Sequence, residues 1–124
     1  MKRATFLLYL GLSGIWGCNT TPSTGDPDSA KAALETTLAA WKQGGSVAEL
    51  VDKNPSIQAS DYRWAAGFVL ADFRVGEATS SVGFDRRFPV DLTLKNPQGK
   101  AIREKAFFHV TTHPAITVIR DPES

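Results

Sequence analysis

A chain of 124 residues, 42% hydrophobic and 22% charged, has room for one domain built around a single two-layer core. Its formal net charge of +1 leaves no basic surplus for neutralising phosphates, which excludes nucleic acid as a partner. Cys18 is the only cysteine, so an intrachain disulfide and a cysteine-based zinc site are excluded too. The one dense basic pair, Arg86-Arg87, directly follows Asp85 and reads as a solvated turn or strand edge.

Met1-Lys2-Arg3 is a short cationic start, Ala4 to Leu12 is an almost unbroken apolar run, and a small residue, Gly17, stands before Cys18. This is the layout of a cleavable export signal over residues 1–17. As a helix, the mostly apolar stretch 4–17 reaches roughly 21 Å, short of a ~30 Å hydrocarbon core, so a permanent transmembrane span is the weaker reading. The closing Ile15-Trp16-Gly17-Cys18 resembles the lipobox of bacterial lipoproteins, with a branched aliphatic three positions before the cysteine and a small residue immediately before it. Trp16 departs from that pattern, where a smaller residue is usual. The resemblance implies that Cys18 is the lipidation site, carrying diacylglycerol on its sulfur, and that the mature chain is anchored in the cell envelope. Asn19 in place of the retention aspartate points to the outer membrane of a double-membraned host. An ordinary secretory signal, leaving a free thiol at Cys18, is the competing reading of the same residues.

Residues 18–28 read as the lipidated cysteine and a flexible tether, because Asn19 to Asp28 holds no large apolar residue but two prolines and a glycine. Ten such residues span about 17 Å as a coil. The single domain is expected over 29–124. Ala30, Ala33, Leu34, Thr37, Leu38 and Trp41 share one helical face, with Asp28 or Ser29 able to cap its start and Gly44-Gly45 ending it. Ser46-Val47-Ala48-Glu49 is a capping-box pattern opening a short helix, with Val47, Leu50 and Val51 as its buried edge and Asn54-Pro55 as its stop.

The segment 57–67 has no convincing period and is expected as a short strand or irregular stretch. A strand is expected over 68–75, and a loop over 77–81. Phe88, Val90, Leu92 and Leu94 alternate with Arg87, Pro89, Asp91 and Thr93, which predicts a half-buried strand, and Pro89 predicts an edge or bulge position for it. Asn96-Pro97-Gln98-Gly99 is turn chemistry joining it to a strand over 102–112, and after His113-Pro114 a last strand runs over 115–120. Arg74 is expected to meet Asp91 across the sheet. The fold class is therefore α+β: one long helix and a short second one packed on a curved antiparallel sheet of three or four sequential strands.

Leu38-Ala39-Ala40-Trp41-Lys42-Gln43-Gly44-Gly45 followed by Val47, Leu50 and Val51 resembles the opening of nuclear-transport-factor-like domains of the cystatin-like superfamily. That resemblance implies a bent sheet wrapped around the first helix, with a cone between them that serves as an enzyme pocket in some members and as a binding cavity in others. In the enzymatic members an Asp and a His act inside the cone, and the residues here that answer to them are Asp61 or Asp72 with His109. By strand alternation His109 faces away from Phe108 and Val110. His109 and His113, four residues apart on a strand, are about 13 Å apart, too far to share a metal ion. No phosphate-cradling glycine loop, nucleophilic-serine elbow or zinc-helix pair is present, so no cofactor or metal is expected. The reading this supports is a non-enzymatic binding or interaction domain, the alternative being a small cone-pocket enzyme using the Asp/His pair. Apolar residues on both faces of the last strands, Phe107 beside Phe108 and Ile119 beside Val118, suggest that a partner protein or a second copy covers the outer sheet face.

Overall fold

The computed structural model describes residues 27–124; the expected export signal, Cys18 and the expected tether up to residue 26 lie outside the described residues. Helix α1 (Pro27–Lys42) is followed by α2 (Val47–Val51), β1 (Ile57–Ser60), the one-turn α3 (Tyr62–Ala65), β2 (Val69–Val75), β3 (Ser80–Val82), β4 (Asp85–Lys95), β5 (Ala101–Thr111) and β6 (Ile116–Arg120). The architecture is α+β: a helix laid against a curled sheet.

The periodic face of α1 is the one that is buried, with Leu34 and Leu38 at 0% and 1% exposure. Its start falls at Pro27, inside the expected tether, because a proline's missing N–H costs nothing at the first helical position. Its end is a double hydrogen-bonded glycine cap: the Gly44 amide donates to the Trp41 carbonyl at 3.0 Å and the Gly45 amide to the Ala40 carbonyl at 2.8 Å. Gly44 holds φ +84°, a conformation that favours glycine. In α2 the Glu49 carboxylate accepts from the Ser46 amide at 3.4 Å, but only Leu50 is buried; Val47 and Val51 are exposed, because the helix is a bare five residues and offers one side chain to the core.

The sheet corrects the expected one in three ways. It has six strands, in the order β1-β6-β5-β4-β2 with β3 also on β4, and it is mixed, since β1 runs parallel to β6. The additional strands come from the two least periodic stretches: Ile57–Ser60 is a four-residue edge strand, and Ser80–Val82, expected as loop, pairs with Asp85–Arg87. Ser80–Val82 buries no side chain and Ile57–Ser60 buries only Ile57 fully, so strands this short leave no hydrophobic pattern to read. Third, the strand carrying Pro89 is interior, between β2 and β5. Pro89 is accommodated where β2 gives way to β3; there its carbonyl accepts from Gly76 at 2.8 Å, and no ladder amide is required of it.

Elsewhere the strands follow their pattern. The 96–99 turn closes around Asn96 Oδ1, which accepts from the Gln98 and Lys100 amides, and Arg74 stands opposite Asp91 in register. The core of Leu34, Leu38, Trp41, Phe88, Val90, Leu92, Phe108 and Val110 lies between α1 and the inner sheet face.

Candidate functional site

Beyond the apolar core, the inner sheet face ends in charge. Strand parity puts Arg120 on the same face as Ile116 and Val118, Glu104 on the face of Ala106 and Phe108, and Asp61, which follows β1, on the face of Ile57 and Ala59. The three meet at one end of the helix-sheet layer. Asp61 also caps α3, its Oδ1 accepting from the Arg63 amide at 2.7 Å and the Trp64 amide at 3.1 Å. The turn so fixed aims Tyr62 and Arg63 at the same cluster.

Arg120 is the centre of it. Its side chain is 1% exposed; Nη2 donates to Glu104 Oε1 at 2.7 Å and to the Ser124 carbonyl at 3.1 Å, and the guanidinium lies over the Tyr62 ring at 4.5 Å. Glu104 is shared: Arg63 Nε and Nη2 donate to its two oxygens at 3.2 and 3.1 Å. Asp61 forms an ion pair with Arg120, but its Oδ2 lies 3.6 Å from Nη1, beyond hydrogen-bond range. Asp61 Oδ2 and Arg120 Nε and Nη1 are thus buried polar atoms without hydrogen-bond partners.

The two carboxylates respond in opposite directions. Burial pushes the Asp61 carboxyl above its ordinary value, against the Trp64 and Arg63 amide bonds and the Arg120 charge. Burial acts upward on Glu104 too, but hydrogen bonds from Arg63 and Arg120 outweigh it and hold that carboxyl below its ordinary value.

A cleft of about 630 Å³ opens against this cluster, within the size range of small-molecule sites. Its apolar lining comes from Val47, Trp64 and Ile119, with Tyr62 at the rim; Asp61 and Arg120 are the charged residues of its wall. Trp64 is fixed by stacking on Trp41, ring centroids 5.3 Å apart and planes within 5°, and by its Nε1–H donating to the Gly45 carbonyl at 3.3 Å. Trp41 is itself core, 3% exposed, with its Nε1–H on the Phe68 carbonyl at 2.9 Å.

The structure does not bring together the Asp/His pair drawn from the sequence. Asp61 is buried in the cluster with Arg120. Asp72 is exposed on β2, 3.6 Å from Lys42 Nζ. His109 is on the outer sheet face, half-exposed, and its nearest carboxylate is Asp121 at 3.7 Å. Asp121 is held below its ordinary pKa first by the Glu123 amide bond and then by Arg87, whose guanidinium also lies 3.8 Å from the centroid of the Phe107 ring. Phe107 is therefore half-buried under a side chain of its own molecule, while Ile119 stays 44% exposed beside the cleft. His113 sits apart, against Phe84. Among the described residues no group of three or more His, Cys, Asp or Glu side chains is placed to hold a metal ion.

Sequence reasoning missed Glu104, Arg120, Arg63 and Tyr62. A signal for the first two was present: carried one step further, the alternation that placed Phe108 and Val118 inside also places Glu104 and Arg120 there. A charge on an apolar face is the informative observation.

Comparison with protein-family models, with curated proteins and with solved structures returns no match to this chain.

Proposed function

We propose that this chain is an exported protein, anchored to the cell envelope through lipid on Cys18, whose α+β domain is a non-enzymatic binding module with its site in the Trp64–Ile119 cleft. The observation that carries the binding half is the union of an apolar cleft of about 630 Å³ with buried Asp61 and Arg120 atoms that lack hydrogen-bond partners. The lipobox-like Ile15-Trp16-Gly17-Cys18 and the apolar run before it support the anchor. Among the described residues no helix is long and apolar enough to cross a membrane. The helix-first order and curled sheet are consistent with the cystatin-like likeness, and we place the domain there as a fold proposal. A binding role is favoured over the Asp/His enzyme because His109 and Asp61 sit on opposite sheet faces.

One mass-spectrometric experiment on the membrane-extracted chain tests both halves. Under denaturing conditions the wild type is expected to start at Cys18 and carry acyl mass that Cys18→Ser lacks. Under native conditions a non-covalent small-molecule adduct is expected on the wild type and is expected to vanish in Ile119→Glu, which charges the cleft wall at an exposed position. An unmodified chain in the soluble fraction would overturn the anchor, and a wild type without an adduct, or one whose adduct survives Ile119→Glu, would overturn the cleft.

A further inference from the structure

We infer that the cleft selects a small apolar molecule with an uncharged head that both donates and accepts hydrogen bonds, a carboxamide fitting best. This rests on the binding reading above and adds the chemistry of the ligand.

Arg120 carries five N–H donors, and its two hydrogen-bond acceptors, Glu104 Oε1 and the Ser124 carbonyl, both take from Nη2. Nη1 has no hydrogen-bond acceptor and faces Asp61 Oδ2 only as an ion pair, 3.6 Å away and itself without a hydrogen-bond donor. Both side chains belong to the cleft wall, and both are almost wholly buried, at 1% and 3% exposure. Buried polar atoms without hydrogen bonds are costly to leave so, and a ligand that completes both gains affinity there.

Head-group chemistry follows from the two signs. A carboxylate head satisfies Arg120 but lays a second negative group beside Asp61. An ammonium head satisfies Asp61 but meets the Arg120 guanidinium. A carboxamide presents its carbonyl to Nη1 and its N–H to Oδ2 from adjacent atoms, with no net charge to desolvate. A hydroxyl must serve both from a single atom. The body of the ligand then lies against Val47, Trp64 and Ile119.

Access is through Tyr62. Its ring covers one face of the guanidinium at 4.5 Å, is 46% exposed, and is fastened by one hydrogen bond from its hydroxyl to the Ser124 carbonyl, at 2.8 Å. Tyr62 belongs to α3 and not to a strand, so turning its ring outward would take the cover off that face of Arg120 and leave the sheet ladder in place.

The test uses three water-soluble molecules with one common body: 3-phenylpropionamide, 3-phenylpropionate and 3-phenylpropylamine, titrated calorimetrically into the full chain. The amide is expected to bind at least about tenfold tighter than either charged analogue, a difference of ~1.4 kcal/mol. Asp61→Asn keeps an N-cap oxygen for α3 but removes the negative charge beside Arg120, so in that variant the preference for amide over carboxylate is expected to shrink about tenfold or more. Equal affinities for the three heads in the wild type, an unchanged preference in Asp61→Asn, or no binding of any of the three would each overturn the inference. The first of these would leave the cleft itself standing as a binding site, whose own failure is read separately as the missing native adduct.

Discussion

Replacing Glu104 by Gln is expected to cost about 3 kcal/mol or more of unfolding free energy, because it strips the shared counter-charge from two guanidiniums while one of them is buried. Arg120 is 1% exposed and bonds to Glu104 at 2.7 Å, whereas its other acidic neighbour, Asp61, is an ion pair at 3.6 Å without a hydrogen bond. Asp61→Asn is expected to behave differently and to cost under about 1 kcal/mol, since asparagine caps a helix as well as aspartate does and Glu104 still faces Arg120. Denaturant titration of the three proteins at neutral pH checks the order. Equal losses for Glu104→Gln and Asp61→Asn would show that the carboxylates carry the cluster equally and that the assignment of Glu104 as its main counter-charge is wrong.

The same pair separates in acid. Glu104 has a folded pKa below its ordinary value, so its contribution is present above pH 4.5 and is lost as pH falls through the depressed value. Asp61 is shifted the other way: with a folded pKa above 3.8, the folded state binds the proton more tightly, and ionisation lowers stability as pH rises through that window. Asp121 adds to the Glu104 side. In Glu104→Gln the acid-induced loss of stability is therefore expected to be smaller than in the wild type.

Trp41→Ala is expected to be the most damaging single truncation of the aromatic floor, at about 3–5 kcal/mol. Three things go at once: a side chain 3% exposed in the core, the stacking partner of Trp64 at 5.3 Å, and the donor to the Phe68 carbonyl at 2.9 Å. Trp64→Ala is expected to cost less, because Trp64 is only partly buried, but it removes part of the cleft wall. Thermal or denaturant unfolding of both variants decides the matter; a Trp41→Ala loss below about 1 kcal/mol would mean that the core closes over the gap and that the stack does not hold the cleft.

What was legible in the sequence was what repeats. Six residues of α1 share a face at helical spacing, and four inward residues of β4 alternate, because each element buries one stripe along its whole length and the pattern records it. The paired glycines and the Asn96 turn were legible for a different reason: they are chemical solutions to local backbone problems. The strand at Ser80–Val82 was not, because its three residues bury no side chain against the adjacent Asp85–Arg87, and Ile57–Ser60 was legible only as one of two alternatives, because its partner lies far along the chain, Ile57 pairing with Ile116. The cleft was illegible for the same cause. Asp61, Glu104 and Arg120 lie far apart in sequence and converge only when β1, β5 and β6 are set side by side. The Asp/His pair suggested by family likeness is not brought together, and the parity that separates it was already legible, since alternation puts His109 and Phe108 on opposite faces.

The location of a bound small molecule tests the central claim most directly. Among the described residues the Trp64–Ile119 cleft has rivals in a hollow lined by Ala33, Pro55 and Ile116 and in a polar one on the sheet around Arg74 and Arg103. Amide and indole chemical shifts of the isotopically labelled full chain, followed during titration with 3-phenylpropionamide, report which of them fills. Shifts are expected to concentrate at Val47, the Trp64 indole N–H, Ile119 and Arg120; shifts centred on Ala33 and Ile116 or on Arg74 and Arg103, with Trp64 unmoved, would place the site elsewhere and overturn the Trp64–Ile119 cleft.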